Sequence, residues 1–284
     1  MSDKPSTFLS TPGGEEKPKA MGTASEPKPE GPPPMIEAIG LSKFYGSFAA
    51  SRDVSFKVFR GEVVAFMGPN GAGKSTTMKL LTGYLSPSEG IAKIAGYNMT
   101  TERIEGSAHL GYLPENGPLY PDMNPRALLE FFGTARGMNR EKLEERIEAV
   151  IDMCDLRAVI GKPTGKLSKG YRQRVGMAQT LLHEPDVLIM DEPTGGLDPN
   201  QIAEVRRMIT NLGRDHTILL STHIMQEVGA MCSRALFINE GRLVFDGSID
   251  ELTAGGRTLD ETFHRFSGMD KEQRKQEQLA SSGA

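Results

Sequence analysis

Apolar residues recur along the chain in two patterns, and both are typical of strands. Residues 36–41 and 53–58 alternate between apolar and polar positions, as an antiparallel pair does when one face covers a core. Residues 63–67, 187–190 and 217–221 are short, mostly apolar runs, which suit buried strands. The chain is therefore predicted to combine an antiparallel pair with a buried, parallel sheet.

Shorter segments extend these sheets. Residues 91–94 form a predicted strand, and another begins at Leu110 and ends at Pro114, because proline cannot donate to a strand ladder. Glu115 is therefore expected on a loop. The last predicted strands form a hairpin of residues 235–239 and 242–246.

From residue 121 to residue 166 the pattern becomes helical. Asn124 followed by Pro125 is a strong helix start, Asn139 can cap a second helix, and Ser168 can cap a third. The second helix carries one apolar stripe that we expect in the core: Leu143, Ile147, Val150, Ile151 and Cys154. The pattern predicts a helical subdomain, at about residues 121–180, inserted into an α/β core.

The two ends of the chain differ in composition from the rest. Residues 1–34 are rich in Pro, Gly, Ser, Glu and Lys, so they bury too little apolar area to offset the entropy of ordering. We expect them to be disordered, with a regulatory tail as the alternative. Residues 268–284 are polar and are expected to fray, which leaves residues 35–267 as the predicted folded domain.

Composition and charge narrow the classes of function. The 284 residues are 38% hydrophobic, enough for a full-sized core, and their net charge of −4 gives no basic field for nucleic acid. No apolar run approaches the roughly 18 residues that a bilayer crossing needs, and none resembles a secretion signal. Cys154 and Cys232 lack metal-ligand spacing and suit buried thiols in a reducing compartment. We expect a cytoplasmic protein without a nucleic-acid partner.

The strongest chemical signal directly follows residues 63–67. Residues 68–75 match the phosphate-loop pattern G-x-x-x-x-G-K-[S/T] without a mismatch. Glycines let the backbone approach phosphates, Lys74 supplies a point charge, and the Ser75 hydroxyl can bind Mg²⁺. The predicted nucleotide-binding residues of this loop are Gly68, Pro69, Asn70, Gly71, Ala72, Gly73, Lys74, Ser75 and Thr76. The motif predicts that the chain binds a nucleoside triphosphate.

Two carboxylates follow the apolar run at residues 187–190. Asp191 and Glu192 are therefore expected at the carboxyl edge of a parallel sheet, where α/β folds keep their chemistry. In a nucleotide site, Asp191 would hold Mg²⁺ and Glu192 would polarise the attacking water. His223 follows the next buried strand, and from the same edge it can reach a γ-phosphate.

Two features leave alternatives open. The aromatic side chain of Tyr45, upstream of the phosphate loop, can stack on a purine base or pack at a strand end. The helix that Ser168 opens carries Arg172 and Arg174 in its first turns, where cations oppose the helix dipole. An anion site and an ordinary helix cap are equally consistent with that pattern.

Taken in order, these motifs resemble the ATP-binding subunit of an ABC transporter over about residues 35–267. The matching segments are residues 68–75 (Walker A), residues 188–192 (Walker B with its catalytic glutamate), residues 196–199 (the D-loop) and His223 (the switch histidine). The resemblance places Tyr45 on the adenine. The fold it implies is α/β, a P-loop NTPase core with a mixed sheet flanked by helices, an N-terminal antiparallel β-subdomain and an inserted helical subdomain.

The resemblance also implies a mechanism and partners. Each ATP would lie between two copies in a homodimer, against the Walker A face of one copy and against Ser168 and Gly170 of the other. Asp198 of the D-loop is a further implied nucleotide-binding residue. The implied magnesium ligands are Ser75, Asp191 and Glu115, and the implied catalytic residues are Glu192, His223 and Lys74. A separate transmembrane permease would dock near the Glu115 loop, at the inner face of the cell membrane, and would feel the dimer close and open.

Two segments, the signature and the Q-loop, depart from the family pattern. Lys169 and Tyr171 replace a glycine and the glutamine of Leu-Ser-Gly-Gly-Gln; Lys169 can add a phosphate contact, whereas Tyr171 lacks the amide. Glu115 replaces the Q-loop glutamine, so it can bind Mg²⁺ but cannot donate as an amide does.

These variants, with residues 259–263, are similar to exporter-type ATPases, particularly the gliding-motility-associated subgroup. We therefore predict an ATPase that powers export. The alternative is an ABC ATPase that regulates or drives a non-transport membrane complex. A soluble ATPase of translation or DNA repair is disfavoured, because neither a second such domain nor a long coiled coil is present in the sequence.

Overall fold

The computed structural model of the chain describes residues 32–117, 119–254, 256 and 258–268. The predictions of a disordered segment at residues 1–34 and a polar tail at residues 268–284 concern, apart from residues 32–34 and 268, residues outside this described part. Within it, no helix has both the length and the apolar character that crossing a membrane requires.

The strands and helices follow one another in a mixed α/β order. The strands are β1 (Ile36–Tyr45), β2 (Phe48–Val58), β3 (Val63–Met67), β4 (Glu89–Ile94), β5 (Tyr97–Asn98), β6 (Leu110–Leu113), β7 (Val187–Asp191), β8 (Thr217–Ser221), β9 (Arg234–Asn239) and β10 (Arg242–Ser248). The helices are α1 (Lys74–Leu81), α2 (Arg103–Ala108), α3 (Pro125–Ala135), α4 (Arg140–Met153), α5 (Lys169–Leu181), α6 (Pro199–Leu212), α7 (Met225–Met231), α8 (Ile249–Leu252) and α9 (Leu259–Ser267).

The smaller sheet is antiparallel and has the order β2-β1-β4-β5. Ile36 pairs with Val58 on one side and with Ile94 on the other, which confirms the predicted antiparallel pair. The strands run further than their alternation predicted, because register shifts interrupt the period of two. At one of these irregular positions Asp53 has a φ of 49°, and its N–H donates to the Ser42 hydroxyl at 2.9 Å.

The larger sheet is mixed and has the order β10-β9-β3-β8-β7-β6. From β9 to β6 in this order, each strand pairs parallel to its neighbour. β10 pairs antiparallel to β9, and the two strands form the predicted hairpin. The carboxyl ends of β3, β7 and β8 therefore meet at one edge. At that edge the chain continues as the phosphate loop, as Glu192 and as Thr222–His223, so the predicted site residues are brought together by sheet topology.

Two apolar clusters cover the two faces of the larger sheet. Alternate residues of β3 divide between them: Val64 and Phe66 belong to one cluster, Ala65 and Met67 to the other. The cluster that contains Val64 and Phe66 packs the sheet against α1 and the antiparallel sheet. The cluster that contains Ala65 and Met67 packs the sheet against helices α3–α7. Both faces of the sheet are therefore buried, as predicted for a parallel sheet.

The helices α3, α4 and α5 lie in the chain between the paired strands β6 and β7. The predicted caps are present: the Asn124 side chain accepts from the Ala127 N–H at 2.9 Å, and the Asn139 side chain accepts from the Lys142 N–H at 2.8 Å. The α4 stripe predicted for the core is buried. The division of this region as a subdomain at residues 121–180 stays a prediction.

A half-buried histidine just after α5 is expected to make the stability of the fold depend on pH. His183 Nε2 donates to the Leu110 carbonyl at 3.0 Å, and its Nδ1 is buried without a partner. Burial, helped by the nearby Arg136 and Arg146, lowers the pKa of His183 from 6.5 to about 4. As pH falls from about 6.5 towards 4, the unfolded chain binds a proton that the folded chain does not, so the free energy of unfolding should fall by up to ~3 kcal/mol.

The check is denaturant unfolding of the parent and of His183→Gln at pH 7 and pH 5. Glutamine keeps a donor for the Leu110 carbonyl but does not titrate, so the variant should lose less stability between the two pH values. Equal losses in both proteins would show that His183 is not the titrating group.

Candidate active site

The loop between β3 and α1 is held tightly by neighbouring backbone. A Cβ on Gly68 would collide with the Ile238 carbonyl oxygen, and a Cβ on Gly73, whose φ is 104°, would collide with that of Ala50. Glycine is therefore required at both positions by packing within the chain. No side chain caps α1 at its start, so the N–H groups of its first turn are free of side-chain acceptors.

Lys74 lies at the base of this loop with only 7% of its surface exposed. Its Nζ donates to the Gly68 carbonyl at 2.7 Å and to the Pro69 carbonyl at 3.2 Å. Burial lowers the pKa of Lys74, while the carboxylates of Glu192, Asp191 and Glu115 act in the opposite direction. The loop thus holds an ammonium group in place, ready to meet an anion.

A serine that the sequence analysis missed connects the two acids at the sheet edge. Ser221, the last residue of β8, lies beside Asp191 in the strand register. Its hydroxyl donates to Asp191 Oδ1 at 2.6 Å and accepts from the Glu192 N–H at 2.9 Å. This one side chain therefore fixes both the Asp191 carboxylate and the backbone of Glu192. The sequence signal that could have identified Ser221 is its position as the last residue of a predicted buried strand, at the same sheet edge as Asp191.

The Glu192 carboxylate lies between two cationic or proton-donating groups. Its Oε2 is 2.8 Å from His223 Nδ1, which donates in the tautomer that carries its proton there, and its Oε1 is 4.0 Å from Lys74 Nζ. Glu192 also has a φ of 49°, in the region that few non-glycine residues adopt. A carboxylate held in this way has one oxygen turned to a histidine and the other to the phosphate-loop lysine.

These groups border a pocket of about 510 Å³. Its lining residues are Phe48, Ala50, Asn70, Gly71, Gly73, Lys74, Ser75, Thr76, Glu115, Lys169, Glu192, Gly195, Gly196 and His223. A second cavity of about 520 Å³ adjoins it and shares Ser75 and Glu115. Asp191 lines this second cavity, so the three predicted magnesium ligands border one space.

The donors in that space fit Mg²⁺. Ser75, Asp191 and Glu115 offer hydroxyl and carboxylate oxygens, the atoms that Mg²⁺ prefers. Among the described residues, no group of three or more His, Cys, Asp or Glu side chains is arranged to hold a metal by itself. A Mg²⁺ ion here would therefore need phosphate oxygens and water as further ligands, as is usual where it is bound together with a nucleotide.

Seven predicted residues line neither cavity: Tyr45, Gly68, Pro69, Ala72, Ser168, Gly170 and Asp198. Gly68, Pro69 and Ala72 belong to the phosphate loop itself, whereas Ser168, Gly170 and Asp198 lie elsewhere in the chain. The Ser168 hydroxyl accepts from the Tyr171 N–H at 3.4 Å and so caps α5. Gly170 is buried beside Gln201, whose side chain an ideal Cβ on Gly170 would meet. Asp198 caps α6, since its Oδ1 accepts from the N–H groups of Asn200 and Gln201, each at 3.0 Å. Each therefore has a structural role within its own chain.

The aromatic residue at the pocket is not the one the sequence analysis selected. Tyr45 is 51% exposed, and Lys43 Nζ lies 5.6 Å from its ring centroid, but it does not line either cavity. Phe48, its direct partner across the β1–β2 turn, lines the pocket and is 62% exposed. Stacking of Tyr45 on adenine stays a prediction, and Phe48 is a second aromatic available there.

Comparison with known proteins adds a family. Residues 51–195 match the family described as "ABC transporter". Relatives include ABC transporter ATP-binding protein NatA of Bacillus subtilis, 37% identical over 74% of this chain and 87% of NatA. Nod factor export ATP-binding protein I of Ralstonia nicotianae is 35% identical over 78% of this chain and 70% of that protein.

Solved structures agree in fold. The ATP binding subunit of an ABC transporter matches with a TM-score of 0.74 and 31% identity, over 82% of this chain and 99% of that one. A dimeric bacterial ABC transporter cassette matches with a TM-score of 0.69 over 76% of this chain and 99% of that one, and its 23% identity supports the fold alone.

Proposed function

The chain belongs to the ABC transporter family of ATP-binding proteins, and from this premise we propose that it hydrolyses ATP as a homodimer and powers export through a separate membrane permease. The observation that carries the proposal is the position of Glu192. Its carboxylate lies between His223 and Lys74 at the edge of the phosphate-loop pocket, where the water that attacks a γ-phosphate would need a proton acceptor.

The residues of the pocket divide the work of phosphoryl transfer. Lys74 and the N–H groups at the start of α1 would hold the outer phosphates. Ser75, Asp191 and Glu115 would hold Mg²⁺, which when bound offsets phosphate charge. Glu192 would orient the water and take its proton, and His223 would keep that carboxylate in place and contact the γ-phosphate. Such chemistry asks mainly for positioning and charge.

A second copy would complete the site. Ser168 lies at the exposed start of α5 and does not line its own pocket, and in the proposed dimer its hydroxyl would contact a nucleotide held by the other copy. Together with Gly170 it forms the predicted trans contribution to a homodimer. The dimeric cassette among the fold relatives supports this arrangement. ATP would close the two copies and hydrolysis would release them.

Export is supported by the exporter-like variants at residues 167–171 and by a relative named for Nod factor export. The test is to purify the tagged chain in detergent, bound to whatever it holds in its own cell, and to identify the partner. We expect a multi-spanning membrane protein whose complex hydrolyses ATP faster than the chain alone. A signalling complex without a transport path, or a ribosome, would contradict the proposal.

Ser221 gives a prediction specific to this geometry. Ser221→Ala should lower kcat for ATP hydrolysis about tenfold and raise the Mg²⁺ concentration needed for half-maximal rate, because Asp191 and the Glu192 N–H each lose a partner. ATP affinity measured without Mg²⁺ should change little. Ser233→Ala, at an exposed serine, is the control. An unchanged Mg²⁺ requirement would show that Ser221 does not position Asp191.

A further inference from the structure

Lys169 occupies an unexpected place for a residue of the signature segment. It is the first residue of α5, and its side chain is exposed. Its Nζ lies against Gly196, where a Cβ would collide with it, and it lines the 510 Å³ pocket of its own chain together with Lys74 and Glu192. The sequence analysis expected this segment to act on a nucleotide held by a second copy.

Neither the helix dipole nor an ion pair within the described residues accounts for a cation at this position. A lysine in the first turn of a helix opposes the helix dipole, so α5 gains no stability from it. No Asp or Glu oxygen of the described residues lies within 4.0 Å of Lys169 Nζ, in contrast with Lys74, which has Glu192 at that distance. The ammonium group therefore reaches the pocket without a carboxylate partner.

Positive charge in the pocket would favour the binding of a polyphosphate. The pocket lining carries the acids Glu115 and Glu192, and Lys74 is the buried cation that faces them. A nucleoside triphosphate brings several further negative charges, and a second ammonium group on a flexible stem is suited to meet the outermost of them. Gly195 and Gly196 border the same space, so no side chain of theirs blocks the approach.

We propose that Lys169 contacts the outer phosphate of the nucleotide bound to its own chain, before any second copy closes over the site. The inference rests on the proposed ATP binding and adds a residue to it in cis. The position of Nζ beside Gly196, where an ideal Cβ would meet it, is what brings the ammonium group to this side of the pocket.

The test is equilibrium binding of ATP and ADP to Lys169→Met in EDTA, at a protein concentration at which sedimentation shows monomer. ATP affinity should fall roughly tenfold, as expected for loss of one charge-assisted contact, and ADP affinity less than about twofold. Lys169→Arg, which keeps the charge, should bind ATP nearly as the parent does. Lys166→Met, at an exposed lysine outside the pocket, should match the parent.

The outcomes separate the two proposals. If the parent binds no ATP, the proposed function is wrong. If the parent binds ATP and the Lys169→Met monomer binds it equally well, only the proposed cis contact is wrong. That conclusion holds even if the variant also dimerises less readily with ATP. An equal loss for ATP and ADP would also overturn it, because the contact would then not be to the outer phosphate. Circular dichroism of each variant confirms that the affinities describe folded protein.

Discussion

Replacing Glu192 by Gln is expected to lower the rate of ATP hydrolysis by about 10²–10⁴-fold while ATP stays bound. The amide has nearly the shape of the carboxylate, so the contacts around the phosphate loop are retained. It cannot, however, take a proton from the attacking water. In the structure this carboxylate is held 2.8 Å from His223 Nδ1 and 4.0 Å from Lys74 Nζ, which places it at the pocket for that task. Phosphate release under saturating MgATP measures the effect.

The matched control for this substitution is Glu145→Gln, which makes the same chemical change at an exposed position on α4. It should hydrolyse ATP at the parental rate. If Glu192→Gln hydrolysed ATP at more than about a tenth of that rate, Glu192 would not be the general base.

Replacing Lys74 by Ala is expected to weaken ATP binding by about 10²-fold or more, which corresponds to roughly 3 kcal/mol. The ammonium is buried, and the loop carbonyls of Gly68 and Pro69 hold it in position, so little ordering is needed when a phosphate arrives. The substitution removes the cation that faces the Asp191, Glu192 and Glu115 carboxylates, so the remaining field would repel the phosphates.

Equilibrium binding in EDTA checks this prediction, with Lys162→Ala at an exposed lysine as the control. Unfolding in denaturant shows whether the variant stays folded. A folded Lys74→Ala protein that binds ATP within about threefold of the parent would contradict the role of this residue.

The sequence predicted most of the site because its signals are local. The phosphate-loop motif names its own residues, and the apolar runs at residues 187–190 and 217–221 indicated which residues follow buried strands. Parallel strands meet at one edge, so Asp191, Glu192 and His223 were expected near Lys74, and the structure brings them there. The helix caps at Asn124, Asn139 and Ser168 were likewise predictable, since a cap is read from a few neighbouring residues.

What the sequence did not predict depends on register and on long-range contact. Ser221 bonds to Asp191 only because β7 and β8 pair at that register. Phe48 lines the pocket because β2 begins at Phe48, five residues before the apolar–polar alternation that predicted this strand at residues 53–58. Lys169 faces its own pocket because the start of α5 lies next to Gly196 in space, although the rest of α5 and β7 separate the two residues in sequence. No local pattern carries these facts.

The central claim is that ATP binds between two copies of this chain, and sedimentation of the Glu192→Gln variant tests it most directly. With MgATP the variant should sediment as a stable dimer, and with ADP or without nucleotide as a monomer, while Glu192→Gln combined with Lys74→Ala should remain a monomer throughout. A Glu192→Gln protein that is saturated with ATP and still sediments only as a monomer would contradict the claim.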